Sequence, residues 1–345
     1  MKRLILGTLA LVALLLAFFA SMWLLDNRMS NFEGDAQVYV RPGDSPRAVI
    51  DSIAAQTTIK HPRRLERVFA QYELDTHLQP GHYRISRLHP SVYVARMLRY
   101  GWQSPVKLVL SGTLRRPCEM ARKISRQMMV DSATVMAAFT DDALLARLGA
   151  SRTTLFSLFM PDTYEMYWTD SIEKILERQK KAVDAFWTDE NLALAAAQGL
   201  TRHEATVVAS IVKGESNYEP EFPKIAGVYL NRLDRGMKLQ ADPTIAFCYD
   251  YAMNRILLRH LKIDSPYNTY LYAGLPPGPI CVPTRACLEA VLHPDRGNGN
   301  LYFCADASFN GTHRFAATYG EHLRNAGEFQ RALSRRAAEK KKEAV

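Results

Sequence analysis

The sequence predicts an α+β fold that follows a single N-terminal transmembrane helix. Two observations support this fold class. Residues 4–25 form an apolar stretch without a charge, whereas the rest of the chain mixes short alternating segments with longer segments of helical periodicity. The 345 residues are 48% hydrophobic and 23% charged, which is ordinary for a folded protein. The chain is therefore long enough for the helix and two or three modest domains.

The N-terminal stretch predicts a helix that crosses a bilayer once. About 20 apolar residues are needed to span a hydrocarbon core about 30 Å thick, and residues 4–25 supply 22. Lys2 and Arg3 precede them, so the positive-inside rule places residues 1–3 in the cytoplasm. A cleaved signal peptide is the alternative, although its apolar region is usually only about 7–15 residues long. Both interpretations take the rest of the chain out of the cytoplasm.

The remaining chain divides into five predicted segments. They are a polar linker (26–35), a small α+β module (36–105), a largely helical connecting region (106–200), a core that carries the chemistry (201–331) and a charged tail (332–345). Within the module, the order strand, helix, helix, strand follows from residues 37–40, 47–55, 62–72 and 78–85, and a further helix is expected from Pro90 to Tyr100.

Charge and cysteine content limit the partners. The chain has a net charge of +9, and most of it lies in the part expected outside the cytoplasm, where anionic lipid headgroups or an anionic wall polymer are better partners than nucleic acid. The alternative is that these lysines and arginines only solvate the surface. The five cysteines are an odd number and show neither a C-x-x-C pair nor zinc-ligand spacing. We therefore expect buried free thiols, no metal and no cofactor.

Glu215 is the candidate catalytic residue. It lies near the end of a helix predicted from Arg202 to about Asn217, four residues after Ile211 and seven after Val208, on the apolar stripe that also includes Val212. Burial raises the pKa of a carboxylic acid, and a carboxylic acid protonated near neutral pH can act as a general acid. The alternative is a structural glutamate at a helix end that reaches into solvent.

Polar and aromatic side chains that suit a sugar site follow this helix. Gln240 and Asp242 alternate on a predicted short strand and would share one face. Tyr267 and Asn268 precede a loop rich in proline and glycine that could fix one wall of a cleft. His313 either faces the cleft or serves the structure.

Several motifs in order resemble the endolytic murein transglycosylase family, also called YceG-like. They are Ala-Ser-Ile-Val-Lys-Gly-Glu-Ser (209–216), Val-Tyr-Leu-Asn-Arg-Leu (228–233), Gly-Met-Lys-Leu-Gln-Ala-Asp-Pro-Thr (236–244), Tyr-Asn-Thr-Tyr (267–270) and Gly-Leu-Pro-Pro-Gly-Pro-Ile (274–280). An upstream motif, Phe-Met-Pro-Asp-Thr-Tyr, spans residues 159–164. The resemblance covers nearly the whole chain. Many relatives carry Glu-Lys-Glu where this chain has Lys213-Gly-Glu215, which changes two flanking charges.

The resemblance implies a lytic transglycosylase of the bacterial inner membrane that cuts peptidoglycan strands internally and leaves a 1,6-anhydro end. It implies that Glu215 is the catalytic acid, that residues 36–105 form a LysM-like module, and that the chain acts on nascent strands beside peptidoglycan synthases. Gln240, Asp242, Tyr267, Asn268 and His313 are the candidate substrate-binding residues. A muramidase-like hydrolase that uses Asp242 or Glu219 as a second carboxylate, and a non-catalytic wall-binding scaffold, remain the alternatives.

Overall fold

A computed structural model describes residues 2–253 and 255–343, and the chain forms two compact units. The first unit comprises Met1–Leu108, Arg126–Val130 and Tyr164–Asp170; the second comprises Val109–Ser125, Asp131–Thr163 and Ser171–Val345. The fold mixes helix and sheet, as predicted. The predictions for Met1, in segment 1–3, and for Ala344 and Val345, in the charged tail, lie outside the described residues.

The first unit contains the predicted order of strand, helix, helix and strand after a long apolar helix. Its elements are α1 (Lys2–Asn27), β1 (Ala36–Val40), α2 (Pro46–Ala54), α3 (Pro62–Gln71), α4 (Leu74–His77), β2 (Gly81–Ile85) and α5 (Ser91–Arg99). Strands β1 and β2 pair antiparallel, with Ala36 opposite Ile85. Alternate residues of β1 point inward, so Val38 and Val40 join a buried core with Ile53 from α2.

The segment predicted as a polar linker is instead part of the first unit. Helix α1 continues to Asn27, and Asp26 is buried with both carboxylate oxygens 2.8 Å from Nη2 of Arg67. Asn31 and Phe32 are also buried, and the Asn31 Nδ2 donates to the Ser91 Oγ at 3.1 Å. The prediction of a linker is wrong because it rested on the polar composition of this segment. Its polar side chains Asp26 and Asn31 are in fact bonded to residues of α3 and α5.

The second unit is mainly helical. Strands β3 (Val106–Leu110) and β4 (Asp162–Met166) each cross from one unit to the other. The elements that lie wholly in the second unit are α6 (Pro117–Ser125), α7 (Ser132–Thr140), α8 (Asp142–Arg147), α9 (Ile172–Phe186), α10 (Asp189–Ala197), α11 (Arg202–Glu215), α12 (Phe222–Asp234), α13 (Asp242–Cys248), α14 (Arg285–Leu292), β5 (Tyr302–Ala305), β6 (His313–Ala316) and α15 (Tyr319–Glu343).

Helices α11, α12 and α14 pack together and form the centre of the second unit. Every residue of α11 from Ala205 to Val212 is buried. A capping box fixes the start of α11: the Thr201 side chain accepts from the Glu204 backbone N–H, and the Glu204 carboxylate accepts from the Thr201 N–H. Strands β5 and β6 pair antiparallel, and α15 packs against both.

Two further predictions require correction. Gln240 and Asp242 do not lie on a strand, because Gln240 has a positive φ of 48° and Asp242 begins α13. All five cysteines are free thiols, but only Cys281 and Cys287 are buried. In the charged tail, the described part continues α15 as a helix to Glu343.

Candidate active site

Glu215 lies in the last turn of helix α11, at the surface of the core. The apolar stripe of this helix packs inward, and Glu215 continues that stripe to a half-buried position. The preceding residue, Gly214, allows close packing: a Cβ at this position would lie 2.5 Å from the Cβ of Pro243. Because Gly214 lacks that atom, the first turn of α13 lies directly against α11.

The surroundings of Glu215 favour its protonated form near neutral pH. Burial raises the pKa of Glu215 to about 7, and the negative charge of Asp242 acts in the same direction. The Tyr229 hydroxyl, which donates to the Glu215 Oε1, and the Arg232 guanidinium act in the opposite direction. Glu215 can therefore give a proton near neutral pH and later hold the negative charge.

A cavity of about 300 Å³, here called the Glu215 cavity, surrounds this carboxyl group. Its lining is rich in hydroxyl, amide and aromatic groups: Glu215, Tyr229, Arg232, Leu239, Gln240, Asp242, Tyr270, Tyr302, Phe303, Tyr319 and His322. The Asp242 Oδ1 accepts from the Tyr270 hydroxyl at 2.6 Å. The Arg232 Nε and Nη1 donate to the carbonyl oxygens of Leu301 and Leu239, both at 2.6 Å, so two backbone contacts fix this guanidinium.

Glu215 also borders a second, larger cavity of about 700 Å³, here called the His313 cavity. Loop residues between β5 and β6 and two side chains of α15, Phe329 and Arg336, form much of its lining. The His313 Nδ1 lies 2.8 Å from the Glu221 Oε2, and the His313 backbone N–H donates to the Glu221 Oε1 at 2.8 Å. Glu221 thus fixes both the ring and the backbone of His313.

The structure brings three of the five predicted binding residues to Glu215. Gln240 and Asp242 line the Glu215 cavity, and His313 lines the cavity named after it. Tyr267 packs at the edge of the hydrophobic core, its ring centroid 4.5 Å from that of Phe247, and is absent from the lining of both cavities.

Asn268 has a structural role, and the prediction that it holds a sugar is wrong. Its side chain is buried; its Nδ2 donates to the carbonyl oxygens of Leu261 and Ile263, and its Oδ1 accepts from the backbone N–H groups of Tyr270 and Leu271. These bonds use the full capacity of the amide. They also shape the turn that places Tyr270 against Asp242.

Sequence reasoning missed Tyr229, Arg232 and Glu221. Tyr229 and Arg232 lie on α12 and are buried, so their periodicity indicates only a core helix. One feature of the sequence could have indicated their role. The Tyr229 hydroxyl and the Arg232 guanidinium lie on a face predicted to be buried, where polar groups need hydrogen-bond partners. Glu221 gave no such signal, because its partner His313 is far away in the sequence.

Within residues 2–253 and 255–343, no group of three or more His, Cys, Asp or Glu side chains is placed to hold a metal ion. Proton transfer by Glu215 and polar contacts by its neighbours are the chemistry that the geometry of these side chains supports.

The chain is similar to known proteins of one family. The chain is 42% identical over 120 residues to an endolytic murein transglycosylase of Bacillus subtilis, which covers 35% of this chain and 32% of the relative. It is 25% identical over 366 aligned positions to the endolytic murein transglycosylase of Streptococcus pneumoniae R6, covering 95% of this chain and 65% of that protein. The chain thus spans less than two thirds of the length of these relatives.

A solved structure and a family profile agree with these matches. The crystal structure of a YceG-like protein from Listeria monocytogenes superposes with a TM-score of 0.54 at 26% sequence identity, covering 84% of this chain and 98% of the other. The YceG-like family profile matches residues 38–328, which include the whole lining of the Glu215 cavity, most of the lining of the His313 cavity and most of the first unit. The chain therefore belongs to the YceG-like family.

Proposed function

We propose that this protein is an endolytic lytic transglycosylase of peptidoglycan, with Glu215 as its single acid and base. The curated relatives bear the name endolytic murein transglycosylase. The observation that carries the proposal is the Glu215 carboxyl group itself, raised in pKa to about 7 at the edge of a cleft and hydrogen-bonded by Tyr229.

One carboxyl group is sufficient for the proposed reaction. Protonated Glu215 gives its proton to the oxygen that links N-acetylmuramic acid to N-acetylglucosamine, and the C1–O bond breaks. The C6 hydroxyl of the same muramic acid then attacks C1, and the Glu215 carboxylate takes the hydroxyl proton. A 1,6-anhydro end forms, the acid is regenerated and no water is consumed. A hydrolytic glycosidase instead requires a second carboxylate as nucleophile or base.

The neighbours of Glu215 have distinct proposed roles. Asp242, held by Tyr270, keeps the pKa of Glu215 high through its negative charge. Tyr229 stabilises the carboxylate after the proton has left. Gln240 offers an exposed amide to the N-acetyl or hydroxyl groups of the sugar, and Tyr302, whose ring stacks on His322, contributes an aromatic side chain to the same lining.

Cutting within a strand requires space for sugars on both sides of the broken bond. Glu215 borders the Glu215 cavity and the His313 cavity, and we assign the two cavities to the two sides. His313, fixed by Glu221, then contacts a sugar beyond the cleaved bond. This arrangement favours internal cleavage over removal of terminal units.

The proposed location is the outer face of the bacterial inner membrane. Residues Ile5–Asn27 form a helix with a mean hydropathy of 2.5, long and apolar enough to cross a bilayer. Together with Lys2 and Arg3, this supports a single-pass anchor, with the second unit and the part of the first unit that follows α1 outside the cytoplasm. Residues 36–105 are proposed as a LysM-like module, nascent glycan strands as the substrate and peptidoglycan synthases as the partners.

Product analysis of digested peptidoglycan tests the reaction. The full-length protein in detergent should release fragments with 1,6-anhydro ends by mass spectrometry, and Glu215→Gln should lower the rate by about a thousand-fold, since general acid–base catalysis contributes about 10²–10⁴. Glu190→Gln, an exposed change on α10, is the matched control and should leave the rate unaltered.

The same experiment separates the alternatives. A hydrolase would give reducing ends and would lose activity in Asp242→Asn or Glu219→Gln, whereas the lyase retains anhydro products in both. A wall-binding scaffold would give no products from the wild type. Full activity of Glu215→Gln would refute the proposed role of this residue.

A further inference from the structure

An exposed aromatic surface lies beside the end of α1 in the first unit. It consists of Leu88, His89, Tyr93, Tyr100 and Trp102, here called the aromatic patch. Leu88 is 73% exposed, and Tyr93, Tyr100 and Trp102 are exposed as well. Their rings form a chain of contacts, from His89 to Tyr93 at 4.3 Å and from Trp102 to both Tyr93 and Tyr100 at 5.9 Å.

The patch is linked to the point where α1 ends. Ser30, three residues after α1, forms a β-bridge with Pro90, and its hydroxyl donates to the Arg87 carbonyl oxygen. Leu88 and His89 lie between these two contacts in the sequence. Helix α5, which carries Tyr93, packs against α1.

The first unit also reaches the level of the last apolar turn of α1. Met22 and Leu25 are partly covered, whereas Trp23 and Leu24 remain exposed. Met22 lies about 7.5 Å before Asn27 along the helix, at a rise of about 1.5 Å per residue. Part of the folded unit therefore lies at the depth where the apolar span ends.

The chemistry of the patch fits the boundary between lipid headgroups and acyl chains. Tyrosine and tryptophan are enriched there because their rings have an apolar body and a polar edge. Arg28, Arg87 and Arg96 are exposed around the patch, and Arg96 lies between Tyr93 and Tyr100 on the outer face of α5. Guanidinium groups beside aromatic rings complement anionic headgroups.

We propose that the aromatic patch inserts into the interfacial region of the same bilayer that α1 crosses, so that the first unit lies on the membrane rather than above it. This inference rests on the membrane location proposed above. The occupant is the lipid surface, since the patch is continuous with the end of the membrane helix and surrounded by arginines.

The four tryptophans of the chain provide the test. Full-length proteins that each retain one tryptophan, with the other three changed to phenylalanine, are reconstituted in phosphatidylethanolamine–phosphatidylglycerol vesicles. The vesicles contain phosphatidylcholine brominated near either the ester end or the methyl end of its chains. Bromine quenches only nearby tryptophan, so Trp23 reports the anchor and Trp102 reports the patch. Trp168 and Trp187 are buried and serve as controls.

We expect bromine near the ester end to quench Trp102 strongly, bromine near the methyl end to quench it weakly, and both controls to keep their emission. Leu88→Asp combined with Tyr93→Asp should abolish the quenching of Trp102 and leave that of Trp23 unaltered. If a single-tryptophan protein does not fold, the difference between wild type and Trp102→Phe gives the same signal.

Quenching of Trp23 without quenching of Trp102 would overturn the inference and leave the anchor intact. Loss of quenching at both positions would refute the membrane location itself. Blue-shifted Trp102 emission without quenching would show that protein, such as a second copy of the chain, covers the patch, and would equally overturn the inference.

Discussion

The carboxyl group of Glu215 is controlled by two neighbours with opposite effects. Asp242 destabilises its ionised form through negative charge, and Tyr229 stabilises that form through a hydrogen bond. Both side chains can be changed to isosteric residues without adding volume. The pH dependence of the reaction therefore provides a direct measure of each effect.

Asp242→Asn and Tyr229→Phe should move the alkaline limb of kcat/KM in opposite directions. Removing the charge of Asp242 lowers the pKa of Glu215, so the protonated enzyme is lost at lower pH. Removing the Tyr229 hydroxyl raises this pKa, so activity persists to higher pH. The measurement is the pH profile of anhydro-product formation.

The chain offers a matched control for these two variants. Tyr272 donates to the Asp264 Oδ1 at 2.6 Å, as Tyr270 does to Asp242, but the pair is absent from the lining of both cavities. Asp264→Asn and Tyr272→Phe should leave the profile in place. Shifts of the same sign in Asp242→Asn and Tyr229→Phe would contradict the assigned roles.

The ionisation of Glu215 should also lower the stability of the folded protein in alkaline solution. Its pKa rises from 4.5 in the unfolded chain to about 7 in the fold, so the folded state binds the proton more tightly and loses stability as pH rises through this range. The loss is about 3 kcal/mol above both pKa values. Glu215→Gln should therefore stabilise the protein at about pH 8 relative to its effect at about pH 4.

Denaturant unfolding followed by the fluorescence of Trp187, which lies in the core of the second unit, measures this difference. The stability of wild type should fall between the two pH values by more than that of the variant. Parallel pH dependence in the two proteins would contradict a raised pKa at Glu215.

At the scale of elements, the contact between α11 and α13 brings Glu215 and Asp242 together. Gly214 permits this contact, although glycine within a helix costs about 1 kcal/mol relative to alanine. The Cβ of an alanine would overlap the rigid ring of Pro243 and lie 3.5 Å from the Ile280 Cδ1.

Gly214→Ala should destabilise the protein by about 1–2 kcal/mol, because overpacking by about 1–3 kcal/mol exceeds the gain in helix propensity. It should also lower activity, since α13 must move away from Glu215. Gly327→Ala on α15, where the nearest atom to the new Cβ is 3.5 Å away in a flexible arginine, is the control and should stabilise. A more stable, fully active Gly214→Ala protein would contradict this account.

Periodicity identified the main helices and strands, but it could not identify the contacts that close the site. The helix from Arg202, its apolar stripe and the position of Glu215 all followed from spacing. The turn at Gln240 did not, because a positive φ at a non-glycine residue depends on tertiary contacts, here the Gln240 N–H to the Thr269 carbonyl oxygen. Asn268 was misassigned because an amide suits a sugar and a tight turn equally well.

At the scale of the whole molecule, a partly buried ion pair contributes to the attachment of α1 to the rest of the first unit, beside the packing of α1 against α5. Arg67 contacts both oxygens of Asp26, whose side chain is only 8% exposed. Removal of one partner of a buried pair leaves the other charge buried and unpaired, which costs about 3–5 kcal/mol.

Arg67→Ala should destabilise the first unit by less than this, about 1–3 kcal/mol, because the Arg67 side chain is 34% exposed and Arg64 also lies near Asp26. Addition of Asp26→Asn should restore part of the loss. Thermal unfolding in detergent, followed by the fluorescence of Trp168 in the same unit, measures both variants. Arg152→Ala removes an equally short but exposed pair with Asp142 and should cost less than about 1 kcal/mol. Additive losses in the double variant would exclude coupling between Asp26 and Arg67.

Because Asn31 and Phe32 are buried, the segment after α1 holds the module at a set distance from α1 and does not act as a flexible linker. As a free coil, residues 26–35 could extend to about 35 Å and let the module sample any orientation. In the folded unit these residues are held by their contacts with the rest of the unit. Extra residues in this segment would therefore move the module away from the membrane only after those contacts had been broken. Extra residues within the last turn of α1 would instead rotate the module by about 100° each and lift it by about 1.5 Å. The distance of the module from the membrane and the direction that it faces are therefore both determined by the number of residues in α1.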